Sequence, residues 1–204
     1  MDTPVTKSPV MLYTEQTPNP ESLKFVTNRM LYRGTADFRE EELAKEWSAI
    51  ATALFELPYV KGVYICNNFV TVTKEMNYEW EDIMLKLKEF IKSYIQEGGE
   101  IVKEGFEEVM SKIEAERIEN AYSGDEKEIV QKIKELIETY VKPAVEMDGG
   151  NIEFESYDQG IVSVVLQGSC SGCPSSSQTL KGGIEGLLKK MMPKEVIEVV
   201  ADND

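Results

Sequence analysis

Two cysteines, Cys170 and Cys173, have a spacing that could support thiolate chemistry. This Cys-x-x-Cys pair follows a predicted strand and precedes a predicted helix, and Pro174 suits the first helical turn, where a missing N–H costs nothing. Both thiols are therefore expected at or just before a helix N-terminus, whose unpaired N–H groups and positive dipole end stabilise thiolates. Gly168 and Gly172 permit the backbone to approach closely whatever the sulfur atoms bind. The pair is the candidate functional site.

Redox chemistry and zinc binding are two uses of such a pair. A dithiol–disulfide site, as in thioredoxin-like proteins, also has Cys-x-x-Cys before a helix. Here the pair follows a predicted hairpin rather than a βαβ unit, and no aromatic residue precedes Cys170, which disfavours that use. Structural zinc needs about four ligands in a closed tetrahedron. Because the chain has no histidine and its third cysteine, Cys66, lies in the other half, zinc within one chain fails on ligand count.

An iron–sulfur cluster is the third use, and it also takes about four thiolates. The shortage of donors disappears if two chains meet about a two-fold axis and each contributes Cys170 and Cys173. A cluster held by two short loops at a subunit boundary can leave when the dimer opens, which is typical of a scaffold or carrier. The residues alone leave open the redox site, the shared cluster and an incidental pair without a ligand.

Composition narrows the function classes. The 204 residues include 37 acidic and 22 basic side chains, and the net charge of -15 repels phosphate backbones and anionic lipids. We therefore expect no nucleic-acid or membrane partner. Because the chain has no histidine, catalysis by a Ser-His-Asp triad or a Cys-His pair is excluded. Three cysteines do not make a disulfide framework, and the sequence shows neither a basic region followed by an apolar run nor a bilayer-spanning stretch. We expect a soluble, cytoplasmic protein.

The first half of the chain alternates strand and helix patterns. Residues 10–14 and 22–26 are predicted strands on either side of a proline-rich turn at 17–20. Residues 59–65 and 69–74 form a predicted hairpin. Two apolar stripes with helical spacing are present, at 43–54 and 80–95. The pattern predicts two helices on a small, largely antiparallel sheet.

The second half begins after a charged connector. Residues 100–119 keep helical spacing of their apolar residues, so we expect an amphipathic helix that packs on a domain or docks a partner. A helix capped by Asp125 follows and ends at residues 148–150. Three further strands are predicted, at 151–155, 161–166 and 196–200. Another helix is expected after the cysteine pair.

The predicted fold class is α+β, with two small α+β domains joined by a partly helical acidic connector. The predicted boundaries are residues 1–98 for the first domain, 99–124 for the connector and 125–204 for the second domain.

Two sets of segments resemble a known family. Residues 143–150, followed by 168–176 and 179–180, strongly resemble the NifU-like C-terminal domain of Nfu proteins. Residues 17–25 and 69–74 resemble the Nfu N-terminal domain. Together the two resemblances cover nearly the whole chain. They imply an Nfu N-terminal-like domain followed by a NifU-like cluster-binding domain.

The function implied by the resemblance is that of an iron–sulfur cluster scaffold or carrier rather than an enzyme. By motif position, Cys170 and Cys173 are the implied cluster and metal ligands. The implied cluster is labile, [4Fe–4S] rather than [2Fe–2S], and shared between two subunits of a homodimer. Its implied partners are a cluster donor or assembly machinery and apo iron–sulfur proteins, whose thiolates displace the two cysteines. The N-terminal module is expected to serve recognition or regulation.

Three features lie outside that ligand set. Cys66 is expected to be a small, half-buried hydrophobe. Residues 148–150 are expected to stop a helix and deliver the chain into the strand beside the cysteine loop. The turn around Asn19 is expected to be a plain turn, with a recognition loop as the alternative.

Overall fold

A computed structural model describes residues 8–171 and 174–202. Within them, two β-sheets each pack against helices around their own hydrophobic core. The α+β fold class is therefore confirmed. In the described part of the chain, no helix has the length and apolar character needed to cross a membrane.

The first sheet has five strands, all paired antiparallel in the order β1-β2-β5-β4-β3. They are β1 (Leu12–Gln16), β2 (Ser22–Thr27), β3 (Tyr32–Phe38), β4 (Val60–Asn67) and β5 (Phe69–Lys74). The predicted β4–β5 hairpin is confirmed, and Asn67 adopts the positive φ of +46° that its tight turn requires.

Strand β3 was not predicted from the sequence. Its inward positions, Ala36 and Phe38, are buried in the core, whereas Thr35 and Asp37 alternate with them. The pairing with β4 shifts register between Tyr32 and Thr35. This irregularity and the polar residues leave only a short apolar alternation, which is a weak strand signal.

Three helices cover one side of this sheet. They are α1 (Glu41–Trp47), α2 (Ala49–Phe55) and α3 (Trp80–Glu97). The predicted single stripe at 43–54 is two helices, because Ser48 is extended and its side chain caps α2 by accepting the N–H of Ala51. Helix α3 ends at Gly98, which has a φ of +81°. The side of the sheet that faces away from these helices is called the outer face below.

The connector contains helix α4 (Phe106–Ala121), which packs on both domains. At its start, Phe106 is buried among aromatic rings of the first core, including those of Phe38 and Trp47. Toward its end, Arg117 donates to the carbonyl oxygens of Phe154 and Glu155 in the second domain. The contacts support the packing interpretation of this helix over partner docking.

The second domain packs three helices and a π-helical turn on a three-stranded sheet. Its elements are α5 (Asp125–Leu136), the π-helical turn Ile137–Val141, α6 (Lys142–Met147), β6 (Gly150–Asp158), β7 (Ile161–Gly168), α7 (Pro174–Met191) and β8 (Glu198–Asp202). The pair β6–β7 is antiparallel and β7–β8 is parallel, with α7 as the crossover. Gly124, not Asp125, is the cap of α5; Asp125 is the first helical residue, where its charge favours the helix dipole.

We predict that Phe106→Ala destabilises the protein by about 3 kcal/mol, because it removes a ring packed in a core and leaves a cavity. Urea unfolding followed by circular dichroism measures the change. Ile113→Ala on the same helix is the control, since that side chain is 56% exposed and its loss should change the free energy of unfolding by less than about 0.5 kcal/mol. Equal effects of the two changes would contradict the role of Phe106 as an anchor.

Candidate functional site

The loop between β7 and α7 carries the candidate cysteines. Gly168 takes a left-handed φ of +61°, and the chain then reverses tightly. The N–H of Cys170 donates to the carbonyl of Gln167 at 3.3 Å. Pro174 is the first residue of α7, as predicted. Cys173 lies outside the described residues, so the predicted ligand pair remains a prediction.

Cys170 is 2% exposed and belongs to the core of the second domain. Its sulfur atom lies against Gly150 at the start of β6. A Cβ added at position 150 would lie 2.7 Å from Cys170 Sγ and 2.6 Å from the carbonyl oxygen of Gln167. The bare backbone of Gly150 therefore makes the space in which this thiol sits.

The predicted role of residues 148–150 as a helix stop beside the cysteine loop is confirmed. Helix α6 ends before them, and Gly149 has a φ of +83°. Ser169 ties this segment to the loop: its hydroxyl donates to Asp148 O at 2.6 Å, and its N–H donates to Gly149 O at 3.2 Å. These two bonds join the segment and the loop into one hydrogen-bonded unit.

The outer face of the first sheet contacts the same unit. Lys24 donates from Nζ to Met147 O at 3.0 Å, and Thr71 donates from Oγ1 to Gly149 O at 2.8 Å. Both side chains are buried, Lys24 at 8% and Thr71 at 1% exposure. Sequence analysis missed this contact, because donors spaced along two strands give no signal that another domain covers them.

The turn predicted at 17–20 also reaches the cysteine loop. Asn19 is buried, and its Nδ2 donates to the carbonyl of Ser171 at 2.8 Å. A second bond from the first domain, outside this turn, is made by Arg39, which donates to Leu166 O near the end of β7 at 2.5 Å. The turn therefore contacts a loop of its own chain, a role that neither interpretation made from the sequence included.

Two carboxyl groups with raised pKa values lie near the domain boundary. Burial raises the pKa of Asp37, although Arg39 at 2.8 Å and the N–H of Gly168 oppose the shift. Desolvation by the surrounding chain likewise raises the pKa of Glu153, although this residue keeps an exposed surface. Both line a groove of about 720 Å³ between α4 and the two sheets. No sequence signal distinguished these two acids from the other acidic residues.

Cys66 is buried on the outer face in a small cluster with Val26, Tyr64 and Phe69. It behaves as the small hydrophobe that the sequence predicts, although it is fully rather than half buried. Burial raises the pKa of its thiol, which disfavours the thiolate. Across residues 8–171 and 174–202, no three His, Cys, Asp or Glu side chains are grouped so that they could hold a metal ion.

Chemically, the described part of the site is a buried thiol held by backbone hydrogen bonds beside a helix N-terminus. Its neighbours donate to carbonyl groups of the loop and of the 148–150 segment. The Cys170 thiol is covered in this arrangement, so it has to reach the surface before it can bind a metal shared with another chain.

Two family models match the chain. The model described as scaffold protein Nfu/NifU N-terminal matches residues 12–98, and the model described as NifU-like domain matches residues 133–200. Together they span most of both domains.

Curated relatives match nearly the whole chain. A protein of Drosophila willistoni named NFU1 iron-sulfur cluster scaffold homolog, mitochondrial, is 38% identical over 96% of this chain, and one of the same name from Drosophila persimilis is 36% identical over 97%. The chain spans 65% and 67% of the length of these two relatives. A solved NifU-like protein from Saccharomyces cerevisiae matches 51% of this chain and 93% of its own, at 20% identity and a TM-score of 0.44.

The expected cytoplasmic location is wrong, because these curated relatives are named mitochondrial. The expectation rested on a low cysteine count and on the lack of a secretion signal. A reducing compartment is all that a low cysteine count indicates, and such a compartment need not be the cytoplasm.

We predict that Gly150→Ala destabilises the second domain by about 1–3 kcal/mol, because the added methyl overlaps Cys170 Sγ and Gln167 O. Gly183→Ala in α7 is the matched control. An added Cβ meets nothing within 4 Å there, so it should stabilise the helix by about 0.5–1 kcal/mol. Thermal unfolding measures both variants, and a Gly150→Ala protein as stable as wild type would contradict the proposed packing of the thiol.

Proposed function

This chain belongs to the Nfu/NifU scaffold protein family, and we propose that it carries an iron–sulfur cluster as cargo between a cluster source and apo-proteins. The two family models and the names of the relatives support the scaffold role. The division of labour follows the proposed domains: residues 125–204 hold the cluster, residues 99–124 connect, and residues 1–98 serve recognition or regulation.

The observation that carries the proposal is the number of thiols in the NifU-like domain. That domain contains Cys170 and Cys173 and no histidine, whereas a cluster takes about four thiolates. Cys66 lies on another domain and is buried among apolar side chains with a raised thiol pKa, so it is a poor third ligand. Two chains that each supply the Cys170–Cys173 pair complete the ligand set.

The proposed cargo is a [4Fe–4S] cluster shared across a homodimer. Transfer proceeds by ligand exchange: each step breaks one iron–sulfur bond to Cys170 or Cys173 and forms one to a recipient thiolate. The proton that the recipient thiol loses is balanced by the proton that the released cysteine gains. No oxidation state changes, and no general acid or base from this chain is needed.

The test is anaerobic reconstitution of the metal-free protein with iron and sulfide. Mössbauer spectroscopy identifies the cluster type, and native mass spectrometry gives the number of chains that hold it. We expect about four iron atoms per dimer. A cluster held by a monomer with no outside thiol, or no iron uptake together with thiol–disulfide oxidoreductase turnover, would overturn the proposal.

Cysteine variants test the ligand assignment. We predict that Cys170→Ala and Cys173→Ala each reduce bound iron at least about tenfold, because a cluster short of two thiolates per dimer is lost. Cys66→Ala is the matched control and should keep the wild-type iron content. Iron analysis and the absorption of the sulfide-to-iron charge-transfer bands measure both. A loss of iron in Cys66→Ala would show that the proposed ligand set is incomplete.

A further inference from the structure

One row of side chains crosses all five strands on the outer face of the first sheet. Cross-strand pairing places its members directly beside one another; they are Glu15, Lys24, Thr71, Tyr64 and Asp37. We call these five residues the contact row. Neighbouring residues on the same strands, such as Phe25 and Val70, point to the opposite side and fill the core of the first domain. The side chains of the contact row therefore do not pack in the core of the first domain and can contact another surface.

That surface is the backbone on both sides of Cys170. Lys24 and Thr71 donate to the carbonyls of Met147 and Gly149. The ring of Tyr64 lies against Gly168. Three adjacent members of the row thus contact two segments that are hydrogen-bonded to each other through Ser169.

Bare glycine backbone makes this close contact possible. A Cβ added at Gly149 would lie 3.0 Å from Thr71 Oγ1 and 3.2 Å from Lys24 Cδ, and one added at Gly168 would lie 2.9 Å from Tyr64 Cγ. Both glycines also have positive φ values. From the sequence, Gly149 was expected to help stop a helix and Gly168 to allow close approach to a ligand of the sulfur atoms. Both also form the surface on which the first sheet docks.

The docked arrangement is at odds with cluster binding. A thiolate that shares a cluster with a second chain has to reach the surface of its own chain, whereas Cys170 is almost fully buried. The loop is held in this state by Asn19, which bonds its Ser171 carbonyl, and by the contact row, which bonds the adjoining 147–149 segment. The bonds from the first sheet therefore help to hold the loop in the conformation in which Cys170 packs in the core of the second domain.

We propose that the outer face of the N-terminal domain is a reversible cap on the cysteine loop of its own chain, closed in the metal-free monomer and displaced when a second copy binds to share a cluster. The identity of what displaces the cap, a second copy that shares a cluster, rests on the proposed function. The closed state of the cap does not depend on the proposed function. The contacts involve two domains joined by a connector, so opening needs no unfolding of either core.

Cysteine alkylation of the metal-free full chain tests the cap. Cys66 is buried on the outer face, which undocking uncovers. Cys170 is buried in the core of the second domain by a loop that undocking releases, so the two thiols report on different domains. Lys24→Met and Thr71→Val each remove one donor to the loop unit. We expect each change to raise the iodoacetamide reaction rates of Cys66 and Cys170 together, by about tenfold, as mapped by peptide mass spectrometry.

Two matched variants serve as controls. Lys61→Met changes an exposed lysine of β4 and should leave both rates at the wild-type value. Thr71→Ser keeps a hydroxyl donor and should keep protection that Thr71→Val loses. If circular dichroism shows that Lys24→Met is unfolded, the comparison of Thr71→Val with Thr71→Ser decides the question.

Three outcomes would overturn the cap. The first is wild-type Cys66 and Cys170 reacting as fast as in the urea-unfolded chain. The second is unchanged rates in folded Thr71→Val. The third is acceleration of Cys170 alone, which would confine the opening to the loop. Because alkylation uses metal-free protein, its result tests the cap even if the protein fails to bind a cluster. Faster iron loading of Thr71→Val than of wild type, in the reconstitution described above, would support displacement of the cap by cluster formation.

Discussion

Close approach of bare backbone is the constraint on which the arrangement around Cys170 depends. Gly150 leaves room for the thiol, whereas Gly149 and Gly168 let the first sheet lie directly on the segments beside it. A methyl group at any of the three positions would lie at or within 3.0 Å of another atom. Buried donors such as Lys24 and Thr71 can therefore reach carbonyl oxygens, and these bonds offset the cost of removing the donors from water.

The connector keeps the two domains near each other without fusing their cores. Its helix α4 inserts Phe106 into the first core, and Arg117 binds backbone carbonyls of the second. Each domain retains its own apolar core, so separation of the two at the contact row leaves both cores intact, although it uncovers the small apolar cluster around Cys66. The boundary between the domains thus combines polar contacts to backbone carbonyls with this one apolar cluster.

Much of the fold follows from local patterns. The hairpin at Asn67 and the start of α7 at Pro174 were both predicted, because turn geometry and helix ends depend on a few adjacent residues. Strand β3 was missed because its register shift and polar residues shorten its apolar alternation. The break at Ser48 was also missed. A single capping residue interrupts the helix there, and the apolar stripe continues with helical spacing on both sides of it.

The sequence by itself determined the family, the α+β class and the identity of the candidate ligands, because residue types and short spacings specify local structure and thiolate supply. Only the tertiary structure decided that Cys170 is buried, that Asn19 bonds the cysteine loop and that one row across five strands meets the glycine segments. The physical reason is that the contacts of Asn19 and of the contact row with the second domain join residues more than 70 positions apart, such as Thr71 and Gly149. When a side chain points away from the core of its own domain, the sequence does not indicate which other surface will cover it.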